Sequence, residues 1–254
     1  MDGEGAATIP TTMRLLLVIE AVARLGVPIT PTEVNAVLGL PKPTIHRLFA
    51  TLEEEGFLQR ELDGRSYSTG PRLRTLAGGV LSSLWVRTAR QTILKRLSLG
   101  IGETCNITLP DGDAMIYLER VETEWPLRIQ LPIGTRVPLY CTASGKLYLS
   151  TLPQRHLKGY VSATDLRART RNTLTDPDAL LAEIEQVRAQ GYSLDREEFM
   201  DDMIAIAVPV LDPSARLMAT LACHAPTRRF SIERALNYLG AMREAAADLG
   251  RLVA

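Results

Sequence analysis

Apolar residues recur at helical spacing from the start of the chain. Thr11–Leu25 carries such a stripe, with Thr11 or Thr12 as a potential N-cap and Gly26 as a terminator. This pattern predicts a first amphipathic helix. A loop of mixed composition follows before the next capping signal.

A second, shorter helix is predicted from the signals that bound the segment TPTEVNAVLG. Thr30 suits the N-cap, Pro31 suits the first helical position, and Glu33 completes a capping box with Thr30. Gly39 is a typical terminator. The helix therefore spans only about two turns.

A third helix is predicted almost at once, in PKPTIHRLFATLEEEG, with Gly56 at its end. Two helices joined by so short a turn indicate a helix-turn-helix. The core-facing stripe of the third helix comprises Ile45, Leu48, Phe49 and Leu52. The side chains expected on or beside its outer face near the N-terminus are those of Lys42, Pro43, Thr44, His46 and Arg47. A recognition helix reads bases and phosphates from this part of its surface.

A β-hairpin is predicted directly after the third helix. In FLQRELDGRSYSTG, two short alternating segments flank the turn dipeptide Asp63-Gly64. Helices followed by a hairpin are the order of a winged helix-turn-helix. Arg60, Arg65 and Tyr67 are expected to project from or near this wing, towards phosphates or the adjacent minor groove.

Two further helical segments connect this region to the rest of the chain. Pro71–Ser83 is compatible with a helix, and Trp85–Leu99 starts a new amphipathic pattern. We place the boundary near residue 84. The expected organisation is a DNA-binding domain over 1–70, a linker helix over 71–84, and a second domain over 85–254.

The second domain alternates short β-like runs with helices. Strands are predicted in ETCNITLP and AMIYLERV around the turn Asp111-Gly112, in PLRIQLP, and in YSLDREE, IAIAVPVLD and RLMATLACHAP. Helices are predicted in TASGKLYLSTL, in DPDALLAEIEQVRAQG with Asp176 and Gly191 as caps, and over Ser231–Val253 as one long closing helix. The expected fold is α+β, with helices packed on an antiparallel sheet.

The composition excludes several classes of protein but does not by itself indicate DNA binding. The 254 residues are 46% hydrophobic and 23% charged, the balance of an ordinary globular protein. No apolar run is long enough to span a membrane, no secretory signal is visible, and the three cysteines lie far apart, so we expect a reduced, cytoplasmic protein. Because 29 basic residues balance 29 acidic ones, DNA contact has to come from local patterning. Pro41–Leu52 supplies it, with basic residues and no acid.

Catalytic, metal and cofactor sites are not expected. Cys223 and His224 are neighbours on a predicted strand and should point to opposite faces, and no other pairing forms a recognisable triad. TASGK lacks the glycine spacing of a hydrolase elbow or a phosphate loop. The scattered cysteines and histidines show no metal-ligand spacing. The alternative class is a metabolite-binding or hydrolytic enzyme with an accessory helical domain.

The stretch LGLPKPTIHRLFATLEEEGFLQRELDGRSYSTGPRL resembles the DNA-binding half of IclR-type transcriptional regulators. The matching positions are Leu40-Pro41-Lys42, Thr44, His46-Arg47-Leu48 and Gly70-Pro71. The resemblance implies a winged helix-turn-helix followed by a linker helix. Pro43 stands where the family usually has serine, which removes a hydroxyl that can touch a phosphate.

The second half also resembles this family, from Gly102 to the end. Its matches include Gly102-Glu103-Thr104, Ser144-Gly145-Lys146, Glu197-Glu198-Phe199 and Ala207-Val208-Pro209-Val210. The resemblance implies a GAF-like sensor that binds a small organic or aromatic acid and mediates oligomerisation. The effector-lining positions carried over from the family, with the helix start beside them, are Thr142, Ala143, Ser144, Asp195, Ala205, Ala222 and His224.

Departures from the family at this cavity change the expected ligand. Some relatives have cysteine in place of Ala205 and serines in place of Ala222 and His224. The cavity then loses polar partners and gains an imidazole, which favours a larger, more apolar ligand such as an aromatic acid, its polar end held by His224 or Ser144. Together the two halves predict an effector-controlled regulator of double-stranded operator DNA. It is expected to act as a homodimer or tetramer and as either a repressor or an activator.

Overall fold

The computed structural model describes residues 9–81, 84–126 and 128–252. The chain divides into two compact units between Leu84 and Trp85, and each is described by itself. The parts of our predictions that fall on Ser82, Ser83, Leu127 and Val253 lie outside the described residues.

The first unit contains three helices, a two-stranded hairpin and a fourth helix. Their bounds are α1 Thr11–Leu25, α2 Pro31–Leu38, α3 Lys42–Glu54, β1 Leu58–Arg60, β2 Tyr67–Thr69 and α4 Pro71–Leu81. The capping box on α2 is present, since Thr30 Oγ1 accepts from Glu33 N at 3.3 Å and the Glu33 carboxylate accepts from Thr30 N at 2.8 Å. The predicted order of helix, helix, turn, helix and hairpin is confirmed.

The start of α1 differs from our expectation. Its N-cap is Pro10, and neither Thr11 nor Thr12 caps the helix with its hydroxyl. The Pro10 carbonyl accepts from Met13 N at 3.0 Å and from Arg14 N at 3.3 Å, so the backbone closes the first turn. Proline also has a fixed φ suited to a helix entrance.

The second unit is built around one antiparallel sheet of six strands in the order β5-β4-β3-β8-β7-β6. The strands are β3 Thr104–Asp111, β4 Ala114–Val121, β5 Arg136–Pro138, β6 Ser193–Arg196, β7 Met203–Leu211 and β8 Leu217–Pro226. The helices are α5 Leu84–Ile101, α6 Ala143–Thr151, α7 Gln154–Ala163, α8 Pro177–Gln190, α9 Ile232–Asn237 and α10 Leu239–Arg251. The α+β prediction is confirmed.

The two faces of the sheet are covered by different helices. Side chains of α5, α9 and α10 form one continuous apolar cluster with the sheet, in which Ile206, Leu221 and Cys223 are fully buried. Side chains of α6, α7 and α8 form a second cluster with β4 and β5. The sheet is therefore buried on both sides.

The strand predicted in PLRIQLP is wrong for its described residues, since Arg128–Pro132 forms no strand and the edge strand is β5. The guanidinium of Arg120 explains this. It donates to the carbonyl of Leu131 at 2.9 Å and to that of Ile129, and so takes the acceptors that a strand ladder would use. We call Arg128–Pro132 the strap.

The single closing helix predicted from Ser231 is also wrong. Ser231 caps α9 as expected, but the helix stops at Tyr238, whose φ of −94° and ψ of 1° leave the helical region, before α10 begins. The ring of Tyr238 stacks on Phe230 with 6.3 Å between centroids. Packing of this aromatic pair outweighs the uninterrupted helical pattern of the sequence.

Candidate DNA-reading surface and effector site

The outer surface of α3 carries the side chains predicted to read DNA. Its core stripe of Ile45, Leu48, Phe49 and Leu52 is buried. The exposed residues are Lys42, Pro43, His46 and Arg47, and Thr44 is half-buried. Lys42 and Arg47 form no ion pair with any described residue, so their charges are available to a partner.

The acidic run at the other end of α3 is neutralised locally. The carboxylate of Glu53 pairs with Arg60 at 2.8 Å, and that of Glu55 pairs with Arg72 at 2.6 Å. The bond from Arg60 also lowers the pKa of Glu53. These contacts reduce the repulsion that the run would exert on a phosphate backbone.

The tip of the wing is a turn organised by Asp63. Its Oδ1 accepts from the backbone N–H groups of Arg65 and Ser66, each at 2.8 Å, and these bonds lower the pKa of Asp63 to about 2. The side chain of Arg65 is exposed beside this turn. It can therefore reach outward from the wing, as predicted for a phosphate contact.

Tyr67 does not project from the wing, and this prediction is corrected. The side chain is only 5% exposed, its ring meets Phe49 edge-on at 4.9 Å, and its hydroxyl donates to Glu53 at 3.3 Å. Tyr67 faces inward because its ring packs in the apolar cluster that the hairpin shares with α1 and α3. Arg60, which lies over this ring, is likewise engaged within the unit.

The turn between α2 and α3 is fixed by one side chain. Asn35 Nδ2 donates to the carbonyl of Leu40 at 2.8 Å, and Asn35 Oδ1 accepts from the N–H of Leu40 at 2.9 Å. Gly39 between them adopts a φ of +62°. These two hydrogen bonds to the backbone fix the turn between α2 and α3.

One face of the six-stranded sheet brings together the predicted effector residues. Strand register aligns Thr104, His224, Ala205 and Asp195 in one row across β3, β8, β7 and β6. The next row aligns Asn106, Ala222, Ala207 and Ser193 on the same face. Small and polar side chains thus replace the large apolar ones of the opposite face.

His224 lies at the centre of this polar face. It is 4% exposed, and its Nδ1 lies 3.1 Å from Asn106 Nδ2, while its Nε2 has no hydrogen-bond partner among the described residues. Burial lowers the pKa of His224 to about 3, and the positive charge of Arg120 lowers it further. The imidazole is therefore neutral at physiological pH.

Cys223 points the other way, as expected for its neighbour on the strand. It faces Cys105 across the sheet, within the apolar cluster that α5, α9 and α10 share. Its thiol and the imidazole of His224 lie on opposite faces. They cannot form a nucleophile and base pair.

The N-terminus of α6 lies beside the polar face. Thr142 caps the helix, since its hydroxyl accepts from Gly145 N at 3.1 Å and donates to the Pro138 carbonyl at 2.7 Å. Ala143, the first residue of α6, packs in one buried cluster with Ala222. The N–H groups of Ala143 and Ser144 precede the first intrahelical bonds, so they are available to an anion, and the helix dipole favours one there.

Gly145 is required for this placement of α6. A Cβ at this position would lie 2.3 Å from the carbonyl oxygen of Leu139. Only glycine lets the helix approach the preceding backbone so closely. The glycine of the Ser-Gly-Lys sequence is therefore required by the close packing of α6 on the Leu139 backbone.

A buried ion cluster joins α6 and α8 to the turn after β6. Lys146 is fully buried, and its Nζ lies 2.5 Å from Glu198 and 2.9 Å from Glu183. Asp195 Oδ1 accepts from Glu198 N at 2.7 Å, and burial raises the pKa of Asp195 to about 7. Asp195 thus holds the turn after β6 and also faces the effector row.

Sequence reasoning did not place Asn106, Arg120 or Glu198 at the site. Asn106 lies opposite Ala222 on one side and Arg120 on the other. The available signal was period-two alternation along the predicted strands, which sets Asn106 between Cys105 and Ile107 and therefore on the other face. Glu198 lies beyond the end of β6 and shows no such period.

Comparisons with known proteins agree with both halves of this architecture. The model of the IclR helix-turn-helix domain matches residues 11–62, and that of the bacterial transcriptional regulator IclR C-terminal domain matches residues 78–251. The chain is 37% identical to the "Probable transcriptional regulator SauR" of Cupriavidus necator, over 93% of this chain and 94% of that protein.

Solved structures give the same assignment. The crystal structure of the Thermotoga maritima IclR protein superposes with a TM-score of 0.63 at 27% identity, covering 95% of this chain and 97% of that one. The inducer-binding domain of PobR from Acinetobacter, solved as a double mutant with 3-hydroxybenzoic acid, gives a TM-score of 0.60 at 27% identity. It covers 65% of this chain and 97% of that one.

A winged helix-turn-helix joined to an effector-binding domain defines a ligand-responsive transcriptional regulator. The chain belongs to the IclR family of bacterial transcriptional regulators. Its relatives are regulators, which agrees with the expectation that it is not an enzyme. No helix within the described residues is long and apolar enough to cross a membrane.

Proposed function

We propose that the effector of this regulator is a small organic acid, with an aromatic acid as the favoured class, bound between the N-terminus of α6 and the polar face of the sheet. The observation that carries the proposal is that Ala143 and Ser144, the first residues of α6, lie beside strands that carry buried polar atoms without hydrogen-bond partners among the described residues. PobR, whose inducer-binding domain was solved with 3-hydroxybenzoic acid, shares this fold.

The acid group of the effector would accept from the backbone N–H groups of Ala143 and Ser144. A helix N-terminus is a ready anion site because its first N–H groups point outward and its dipole is positive there. The body of the ligand would lie over the small side chains of Ala205 and Ala222, which are neighbours on β7 and β8. Thr142 orders the helix start, while Asp195 and His224 flank Ala205 in its row across the sheet.

The first domain would bind double-stranded operator DNA through Lys42, Pro43, Thr44, His46, Arg47 and Arg65. In this division residues 1–70 read DNA, 71–84 connect the domains, and 85–254 sense the effector and assemble the oligomer. Two half-sites bound by a dimer or tetramer multiply affinity and specificity. Because its target is chromosomal DNA, the protein would act in the cytoplasm.

A thermal-shift screen of the full chain tests the effector class. The panel contains acetate, butyrate, succinate, benzoate, phenylacetate and hydroxybenzoates, each paired with its neutral amide. We expect at least one acid to raise the melting temperature, since a ligand at 100 times its dissociation constant adds about 2.7 kcal/mol to the free energy of unfolding. Its amide should be much weaker, because the helix start favours an anion.

The acid that binds should also change retention of the upstream intergenic DNA in a gel shift. If no acid raises the melting temperature, or if amides act as well as acids, the proposed effector class is wrong. If an acid binds without altering DNA retention, the acid is not the effector.

A further inference from the structure

Asn106 and His224 form a buried pair with one open hydrogen-bonding atom on each side chain. Asn106 is 1% exposed and His224 is 4% exposed. A 3.1 Å hydrogen bond joins Asn106 Nδ2 to His224 Nδ1, which leaves Asn106 Oδ1 and His224 Nε2 without partners among the described residues. The carbonyl of Ile129 in the strap interacts with the imidazole and partly offsets the fall in the pKa of His224, but no described atom meets both the distance and the angle of a hydrogen bond to Nε2.

The bond within the pair determines what the open atoms present. An amide N–H donates, so Nδ1 accepts and the imidazole proton lies on Nε2. The open atoms are then a donor on His224 and an acceptor on Asn106. Rotating the amide reverses both roles, since Nδ1 would then donate and Nε2 would accept. Either way the pair offers one donor and one acceptor.

A second proton on the imidazole would remove this complementarity, but the surroundings oppose it. Burial lowers the pKa of His224 to about 3, and the Arg120 guanidinium adds to the effect. Arg120 is itself held by the strap carbonyls and by Glu122, whose Oε1 lies 3.3 Å from its Nε. The pair is therefore neutral across the physiological range.

Few functional groups satisfy one donor and one acceptor together. A carboxylate only accepts and a hydrocarbon does neither, whereas a hydroxyl both donates and accepts. We propose that the effector carries a hydroxyl group besides its acid group, and that this hydroxyl binds the Asn106–His224 pair. This inference rests on the proposed function, because it places the second polar end of the same acid ligand.

The distance between the two ends suits a small molecule. His224 follows Ala222 by two positions on β8, about 7 Å along the strand, and Ala222 packs with Ala143 at the start of α6. A hydroxy acid spans such a gap with a short chain or one ring. A ligand that leaves the pair unsatisfied in the bound state binds more weakly, because each buried polar atom then lacks a partner.

Isothermal titration of the full chain with matched acids tests the inference. The pairs are benzoate with 3- and 4-hydroxybenzoate, butyrate with 3-hydroxybutyrate, and succinate with malate. We expect at least one hydroxy acid to bind wild type about 30-fold or more tightly than its hydroxyl-free partner, since sites that hydrogen-bond a hydroxyl reject analogues that lack it. His224→Phe and Asn106→Leu should reduce this preference to about 3-fold or less.

His224→Gln and Cys223→Ala complete the design. Glutamine keeps a donor and an acceptor, so it should retain a clear preference even if His224→Phe does not fold. Cys223 is the neighbour of His224 on the opposite face, and its replacement by alanine should leave the preference unchanged.

The outcomes separate the two proposals. Equal affinity for each acid and its hydroxy partner in wild type overturns the hydroxyl inference and leaves the effector class standing. A preference that survives in both His224→Phe and Asn106→Leu also overturns it. Failure of every acid to bind overturns the proposed effector class itself.

Discussion

The two units of this regulator hold their charges in opposite ways. In the DNA-binding unit the core is an apolar cluster, and Lys42, Arg47 and Arg65 are exposed. In the sensor unit Lys146, Asp195 and Glu198 are buried. DNA is bound by exposed side chains, which keep their hydration in the free protein. A small molecule is bound by buried groups, which have already lost theirs.

Because of this difference, losing one charge should affect the free energy of unfolding differently in the two units. A surface ion pair contributes about 0 to 1 kcal/mol because water and salt screen it. A buried pair has already lost its hydration, so removing one partner leaves the other charge uncompensated. The sensor unit should therefore be the more sensitive of the two to loss of a charge.

The largest effect is expected at the buried ion cluster. Lys146→Met should lower the free energy of unfolding by about 3 to 5 kcal/mol, because Glu198 loses the cation that compensates its burial. Arg60→Met, which breaks the exposed pair with Glu53, is the matched control and should lower the free energy of unfolding far less, because water and salt screen this pair. Urea unfolding at pH 7.5 measures both. Equal losses would abolish the contrast between the units.

A smaller effect, on binding alone, is expected at the outer face of α3. Arg47→Ala should weaken binding to the upstream intergenic DNA about 10- to 100-fold, as loss of a base or phosphate contact does. Its unfolding free energy should change little, because the side chain is exposed and has no ion pair among the described residues. Gel shift at fixed salt provides the measurement.

Arg24→Ala removes the same charge from the end of α1 and serves as the control for Arg47→Ala. Its affinity for DNA should stay close to that of wild type. An Arg47 variant that binds as tightly as the Arg24 variant would remove α3 from the DNA-reading surface.

The smallest effect concerns pH. The pKa of His224 is about 3 in the folded chain against 6.5 for an ordinary histidine, so between these values the unfolded chain binds a proton that the folded chain does not. Its contribution to stability is therefore lost as pH falls below about 6.5, by at most about 1.4 kcal/mol per pH unit. Asp195, with a pKa raised to about 7, has the opposite slope, so wild type alone does not reveal either group.

The difference between wild type and His224→Gln isolates the histidine. As the pH falls from 6.5 to 4.5, wild type should lose about 1 kcal/mol of unfolding free energy per pH unit relative to His224→Gln. The difference between the two proteins should be constant above pH 7.5. Chemical unfolding of the ligand-free proteins over this range supplies the data. Parallel curves throughout would mean that His224 is not buried as a neutral group.

The elements that sequence could predict are those with local causes. Thr30, Gly39, Asp176 and Gly191 act within their own helices, and the helix and hairpin bounds that depend on such signals are confirmed. The strap and the break at Tyr238 depend on contacts distant in sequence. Neither Arg120 bonding the strap nor Tyr238 stacking on Phe230 leaves a periodic signal.

The site was predictable in part for the same reason. The resemblance supplied the row of Asp195, Ala205 and His224, and strand register brings these three together. Asn106 was missed because its role depends on which strand lies beside β3, and β8 enters that position from more than a hundred residues away. Tyr67 was misplaced because its burial depends on how the wing packs on α3.

The clamp that Asn35 places on Leu40 bears on how the regulator binds DNA. Because both backbone groups of Leu40 are already bonded, α2 and α3 have little conformational entropy left to lose when DNA binds. The α2–α3 pair is therefore preorganised, and DNA binding costs it little ordering entropy.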